Sequence, residues 1–162
     1  SAWPDKPSKD WPVAGGESGD KTAGVVDNLK KTVGTIGYID ASQAGDFGTA
    51  ALKAGDSFVE YSAAAAAKLV ENAEVEEGRA ENDLALKLNL TPDDPEADPL
   101  VLVSSDAVCL KYKDANTAKL VKAWVNYVVA AEGQKKSAEA AGSAPLGTEI
   151  TKRSSAAVNA IK

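Results

Sequence analysis

The sequence contains no histidine and no methionine, and it has a single cysteine, Cys109. Without histidine the chain lacks the commonest general base and the commonest zinc ligand, and every Ser-His or Cys-His nucleophile is excluded. One cysteine cannot build a cysteine-rich metal cluster. These absences argue against most hydrolases and metalloenzymes. We therefore expect a protein that is not an enzyme and that needs no cofactor or metal ion.

Aromatic residues and basic clusters are also scarce. Aromatics make up 6% of the 162 residues while hydrophobic residues make up 44%, so burial must rely on aliphatic side chains and alanine. The net charge is −6, and lysines cluster at most in pairs such as Lys30-Lys31 and Lys135-Lys136. An acidic surface repels nucleic-acid backbones and anionic lipid, so we expect no nucleic-acid partner. A small anion stays possible, because a few oriented backbone amides can bind one.

Long apolar runs are missing as well. No segment approaches the ~20 apolar residues that a membrane helix needs. The first residues, Ser1 to Asp5, have neither the charged start nor the hydrophobic core of a signal peptide. Because the chain also lacks an initiating methionine, we expect its start to be a processed, cleaved or truncated end.

The spacing of apolar residues predicts a mixed α/β protein. Helices are predicted over residues 21–32, 62–77, 115–131, a short segment ending at 141, and 148–161. Strands are predicted over residues 35–39, 49–53, 57–61, 84–90 and 100–104. The second and third strands flank Ala54-Gly55-Asp56 and should form a hairpin. The first twenty residues are predicted to form an irregular loop that is anchored by Trp3 and Trp11.

Two side chains are predicted to be buried. Trp124 shares one face of the 115–131 helix with Leu120, Val121, Val125 and Val128, which is typical of a core-facing stripe. Cys109 lies in an apolar setting and is most simply a buried small hydrophobe. In an extracellular protein it could instead be half of a disulfide whose partner lies outside this chain.

Residues 91–99 contain three prolines and four acidic residues. This composition excludes a helix or a central strand and predicts an exposed connection, which is a candidate crossing between domains. A calcium site is disfavoured because the segment lacks the glycine turn and the distal glutamate of the twelve-residue calcium loop. A solvated acidic linker is the preferred interpretation.

The glycine-rich stretch from Ala14 to Thr22 invites comparison with a phosphate-binding loop. Glycines let backbone amides converge on an anion, and the following helix adds its positive end. A nucleotide loop requires glycine directly before Lys-Thr, whereas Asp20 stands there and would repel a triphosphate. Two interpretations therefore remain, a structural loop with a helix cap and a small-anion contact. The candidate binding residues are Ser18 and Gly19.

Taken together, five short motifs resemble the C-terminal part of the phosphate-binding proteins that serve ABC transporters. The matched segments are Trp11-Pro12 with Gly15-Gly16-Glu17-Ser18-Gly19, Gly34-Thr35-Ile36-Gly37-Tyr38, Pro99-Leu100-Val101, Val121 and Trp124 with Gly133-Gln134, and Gly142-Ser143-Ala144-Pro145-Leu146. Their order and spacing hold from Trp11 to the end of the chain. The stretch around Cys109 further resembles lipid-anchored members from Gram-positive bacteria.

The resemblance implies an α/β fold that is the C-terminal part of a two-lobed, hinged clamp of the periplasmic-binding-protein type. Residues 1–90 would belong to the second lobe, 91–99 to an inter-lobe crossing, and 100–162 to the returning part of the first lobe. The implied location is extracytoplasmic, in the periplasm or on the outer face of the membrane. The implied partners are inorganic phosphate, an ABC permease and the N-terminal portion of the same protein.

The family's phosphate ligands lie N-terminal to the region matched here, so none can be assigned to a residue of this chain. Two alternatives to a phosphate receptor follow. One is a receptor for another oxyanion, which the missing ligands cannot distinguish. The other is a nucleotide or phosphotransfer enzyme built on Gly15–Thr22, which the position of Asp20 and the lack of histidine disfavour.

Overall fold

The computed structural model describes Ser8 and residues 10–162, which divide into two compact units. The first unit ends at Phe47 and the second comprises Gly48–Lys162. The predicted anchor Trp3 lies outside the described residues. The assignment of 1–90, 91–99 and 100–162 to parts of two lobes concerns a larger fold and stays a prediction.

The first unit is built around helix α1 (Lys21–Lys31), close to the predicted 21–32. A short 3-10 helix follows at Ala41–Gln43, where the Asp40 carboxylate accepts a hydrogen bond from the Ser42 amide at 2.9 Å. The predicted strand at 35–39 is wrong, since these residues form no strand. A β-strand needs a hydrogen-bonded neighbour, and none pairs with this run within the described part of the chain.

The second unit opens with the predicted hairpin, which is confirmed. Strands β1 (Leu52–Ala54) and β2 (Ser57–Val59) pair antiparallel, with Ala54 opposite Ser57. Gly55 in the turn has a φ of +56°, the left-handed region that glycine adopts without penalty. Its amide donates to the carbonyl oxygen of Pro92 at 3.0 Å, so the turn is fixed from outside as well.

Helix α2 (Ala63–Glu71) begins at Ser62 as predicted. The Ser62 hydroxyl accepts a hydrogen bond from the Ala65 amide at 3.0 Å, which satisfies one of the free donors of the first turn. The helix ends before the predicted residue 77, because β3 (Glu74–Val75) leaves it to pair antiparallel with β4 (Leu86–Lys87). The predicted strand at 84–90 is correspondingly shorter.

The acidic segment 91–99 packs against this hairpin and helix, so the predicted exposed connection is only partly exposed. Pro92, Ala97 and Asp98 are buried. The Asp98 amide donates to the carbonyl oxygen of Ala65 at 3.1 Å. Glu96 lies 3.3 Å from the Lys68 ammonium, and this ion pair raises the pKa of Lys68. The prolines prevent a continuous ladder of β-sheet hydrogen bonds. Single hydrogen bonds still hold the segment against the hairpin and α2.

The predicted buried strand at 100–104 is absent. Leu100 and Leu102 are exposed, and no strand pairs with this run among the described residues. Its apolar character is typical of a strand covered on both faces, and such cover must come from elements on either side. The described part of the chain does not supply it.

The unit is completed by helices α3 (Ala115–Val129), α4 (Ala131–Ala141) and α5 (Thr148–Asn159), all near their predicted positions. Val125 of α3 is buried in a cluster with Val158 and Ile161, against which Tyr112 and Val121 pack. The Lys162 amide donates to the Leu110 carbonyl at 2.8 Å, and the Tyr112 amide donates to the Lys162 carbonyl at 2.9 Å. These bonds hold the end of the chain beside the segment that leads into α3.

Two predictions of burial are wrong. Trp124 is 62% exposed and Leu120 is 72% exposed, because α3 turns its Val121 and Val125 side chains toward the cluster with Val158 and Ile161 instead. Trp124 contacts Tyr127 on the same outer face, with ring centroids 6.3 Å apart. Cys109 is also exposed and is a free thiol in this structure, so it is not a buried hydrophobe. Its pairing with a cysteine outside this chain stays a prediction.

We expect Val125→Ala to lower the free energy of unfolding by about 1–3 kcal/mol, since it removes buried methyl groups and leaves a cavity. Trp124→Ala should cost less than about 1 kcal/mol, because that side chain is mostly in water. Urea unfolding of both variants checks the pair. A larger loss for Trp124→Ala than for Val125→Ala would contradict the orientation of α3.

Acid should weaken the start of α3. The Asp114 carboxylate accepts hydrogen bonds from the Thr117 amide at 2.7 Å and hydroxyl at 2.8 Å, and these bonds lower its pKa below 3.8. A carboxyl with a lowered pKa stabilises the folded state above its unfolded pKa and loses that contribution as pH falls through the folded value. We expect Asp114→Asn to keep a helix cap. The variant should lose less stability than the unaltered protein as pH falls through the folded pKa of Asp114, which circular dichroism during acid titration measures. Equal acid sensitivity in both proteins would contradict this assignment.

Candidate functional site

The loop before α1 carries the predicted site residues, and its glycines serve close backbone packing. Gly15 has a φ of +97°, so the loop turns there. A methyl group at Gly19 would overlap the backbone of Gly24 and Val25, because the loop crosses directly against the first turn of α1. Gly19 is thus required for contact with the chain's own helix.

Ser18 is exposed beside this crossing, and its backbone is oriented by a side chain of α1. The Asn28 side-chain amide donates to the Ser18 carbonyl oxygen at 3.1 Å. The loop is therefore joined to α1 about two turns along the helix as well as at its start. Ser18 and Gly19 are brought to the N-terminal end of a helix, where the sequence placed them.

The first turn of α1 has no side-chain cap. Asp20 occupies the N-cap position, but its carboxylate makes no capping hydrogen bond; its carbonyl oxygen accepts from the Gly24 amide at 3.0 Å. An uncapped helix start leaves backbone donors near the positive end of the helix dipole. Asp20 is thus the last residue before α1, but its side chain does not cap the helix.

The charges around this helix start do not favour a strongly charged anion. Glu17 and Asp20 are exposed carboxylates, and Lys21 is the only cation between Gly15 and Thr22. The loop therefore carries a net charge of −1, from two acidic residues and one lysine. A weak contact with a small oxyanion through backbone amides is chemically reasonable here, whereas a triphosphate would be repelled.

A second concave site lies between the β3–β4 hairpin and α5, with a volume of about 420 Å³. Both arginines of the sequence, Arg79 and Arg153, line it. Arg79 is paired with Asp83 at 2.8 Å, and Arg153 is paired with Glu149 at 3.2 Å. Because three carboxylates also line the cleft, Glu76, Glu81 and Asp83, it is not a preorganised anion site. The sequence points to this cleft only in that it has just two arginines, and both of them line it.

A third arrangement joins the break between α3 and α4 to the turn before α5. The Gln134 side-chain amide donates to the Val128 carbonyl at 2.7 Å, and its oxygen accepts from the Leu146 amide at 2.9 Å. Gly133 is buried, and a methyl group there would overlap the Tyr127 carbonyl oxygen. One glutamine thus ties together three separate stretches of backbone.

Within residues 8 and 10–162, no group of three or more Cys, Asp or Glu side chains is placed to hold a metal ion. No helix in that same part of the chain is both long enough and apolar enough to cross a membrane. Comparison with protein-family models, with curated proteins and with solved structures gives no match for this chain.

We expect Gly133→Ala to lower the free energy of unfolding by about 1–3 kcal/mol or more, since the added methyl group meets a backbone carbonyl that cannot move without shifting α3. Gly48→Ala is the matched control, because nothing lies within 4 Å of a methyl group there. Thermal and urea unfolding compare the two. A Gly133→Ala protein as stable as Gly48→Ala would contradict the close approach of the two helices.

Proposed function

We propose that this chain is the C-terminal part of an extracytoplasmic phosphate receptor, a binding protein that captures inorganic phosphate and delivers it to an ABC importer. The observation that carries the proposal is the ordered set of five motifs running from Trp11 to the end of the chain. Single motifs of this kind are weak signals, whereas their shared order over the whole chain is more specific.

The geometry around α1 gives physical roles to two of these motifs. Gly19 from the first motif lies against the backbone of Gly24 and Val25. Gly37 from the second motif lies against the side chains of Val25 and Leu29, where a methyl group would come within 3.3 Å of each. Both motifs therefore place a glycine where the chain packs closely on α1. This supports the interpretation that the two motifs belong to one family pattern.

Gln134 provides the same kind of support in the second unit. It belongs to the fourth motif and binds the backbone of Leu146, which belongs to the fifth. Gly142, the first residue of the fifth motif, ends α4 in the left-handed conformation with a φ of +65°. Gln134, Gly142 and Leu146, from the fourth and fifth motifs, thus organise the end of α4 and the turn before α5.

In the proposed receptor, the ligand set is supplied mainly by the N-terminal portion of the same protein. The contribution of this chain to the ligand is limited to the uncapped start of α1 with Ser18 and Gly19. Binding would therefore need both portions, and the complete receptor would pass phosphate to a membrane permease. Another oxyanion is the alternative ligand.

A nucleotide or phosphotransfer enzyme is disfavoured. The loop before α1 carries a net negative charge, and Asp20 occupies the position where a phosphate loop needs glycine. The close contact of Gly19 with Gly24 and Val25 also fills the space under the loop with the chain's own backbone.

We expect isolated residues 1–162 to bind phosphate more weakly than micromolar, because the α1 start offers only backbone donors and neighbouring carboxylates. Isothermal titration with phosphate, sulfate and ATP measures this. Micromolar binding of phosphate that is lost on Ser18→Pro would show that this loop is itself the ligand site. The longer receptor should bind phosphate in strong preference to sulfate and ATP. Preference for ATP in that protein would refute the proposed function.

A further inference from the structure

Charge is divided unevenly along this chain. Residues 110–162, which contain α3, α4 and α5, include nine basic and four acidic residues, a net charge of +5. Residues 1–109 include nine basic and twenty acidic residues, a net charge of −11. The total of −6 therefore conceals a basic helical region. Because salt screens charges beyond about 10 Å, a partner that contacts these helices meets their local charge rather than the total.

Helix α3 presents an apolar face to water. Leu120 is 72% exposed, Trp124 is 62% exposed and Tyr127 is 42% exposed. Their spacing of four and three residues places them on one side of the helix. The other side is occupied by Val121 and Val125, which pack in the cluster with α5, so the outer face cannot also turn inward. An exposed apolar patch of this kind marks an interaction surface.

The charged side chains near this face are basic. Helix α3 contains no acidic residue, and Lys119 is exposed on it. Lys111 and Lys113 are exposed just before the helix, and none of the three lysines forms an ion pair with a described residue. Asp114 is the only acidic residue from Lys111 to the end of α3, and its carboxylate is engaged by the Thr117 amide and hydroxyl. The face is therefore complementary to a negatively charged partner.

We propose that the outer face of α3 docks on the surface of a bilayer that contains anionic lipid. The leucine and the two aromatic rings enter the boundary between headgroups and acyl chains, where tryptophan and tyrosine are favoured because each has an apolar body and a polar tip. The lysine ammonium groups stay at the level of the lipid phosphates. The helix lies along the surface and does not cross the bilayer. The inference concerns residues 1–162 alone and does not depend on the phosphate receptor proposed above.

Nucleic acid is also attracted to basic surfaces, but this face is less suited to it. Binding along a phosphate backbone requires a groove of lysine and arginine that follows the strand. Both arginines of the chain lie instead at the cleft between the β3–β4 hairpin and α5, where each is paired with a carboxylate. Leu120 would stay in water beside a phosphate backbone, whereas a lipid surface buries it. Exposed leucine, tryptophan and tyrosine combined with lysine therefore favour lipid.

Co-sedimentation of the purified chain with lipid vesicles tests the proposal. We expect binding to vesicles of phosphatidylglycerol and phosphatidylcholine, weakened by added salt, and little binding to vesicles of phosphatidylcholine alone. Trp124→Ala and Lys119→Glu should each weaken the binding roughly tenfold. Both side chains are exposed, so the variants keep their fold, as circular dichroism can verify.

Two matched controls lie on the first hairpin of the second unit. Phe58→Ala removes an aromatic ring that is 72% exposed on β2, and Lys53→Glu reverses an exposed lysine on β1. Lys53→Glu changes the net charge by the same amount as Lys119→Glu, so it separates a local contact from an effect of total charge. Both controls should bind anionic vesicles as the unaltered protein does.

Tryptophan fluorescence locates the contact. A protein that keeps only Trp124, made with Trp3→Phe and Trp11→Phe, should shift its emission to the blue on anionic vesicles and be quenched by brominated lipid. A chain that does not bind anionic vesicles overturns the proposal, and so does equal binding to vesicles of phosphatidylcholine alone. Binding that Lys119→Glu and Trp124→Ala leave unchanged overturns it too. Preference for duplex DNA over the vesicles overturns it and assigns the face to nucleic acid.

Discussion

The second unit depends on the packing of α3 against α5. Val125 forms a buried cluster with Val158 and Ile161, which come much later in the sequence. The chain end is fastened beside them by the pairing of Lys162 with Leu110 and Tyr112. The Lys122 ammonium adds a bond to the Asn159 carbonyl at 2.9 Å, where a cation also complements the negative end of α5. The cluster forms only if the intervening chain returns α5 at the correct angle.

That return is arranged by α4 and by Gln134. Gly133 allows α4 to start against the end of α3, and Gly142 ends it by adopting the left-handed conformation. Gln134 then bonds the Leu146 amide, which fixes the turn that leads into α5. Its side-chain amide uses both a donor and an acceptor, so neither glutamate nor leucine could replace it at equal size.

Helices were predictable from the sequence because their signals are local. Ser62 lies at the start of α2 as predicted, Asp114 caps α3, and the glycine at 142 ends α4. The predicted strands at 35–39 and 100–104 failed because a strand depends on a distant partner that its own sequence does not specify. The hairpin at Gly55 succeeded because its partner is next to it in the chain.

Trp124 was predicted to be buried because apolar periodicity does not decide which face of a helix meets its neighbour. Apolar residues occupy two adjacent faces of α3, one with Val121 and Val125 and the other with Leu120 and Trp124. Periodicity identifies both faces but cannot decide which one meets α5. The glycine loop before α1 is similar. Its composition predicted backbone amides that can converge on an anion, and in the structure Gly19 lies close against the backbone of its own helix.

The segment from Val101 to Val108 makes no hydrogen bond within the described residues. It also determines where the folded chain can be cut. Most peptide bonds in a domain become accessible to a peptidase only after local unfolding. Leu102 in this segment is 92% exposed and no hydrogen bond has to break, so cleavage requires no opening step. A single cut in this segment would leave α3, α4 and α5 together with the buried cluster of Val125, Val158 and Ile161 on one fragment. We therefore expect the 101–108 segment to be a point of early cleavage in the folded protein.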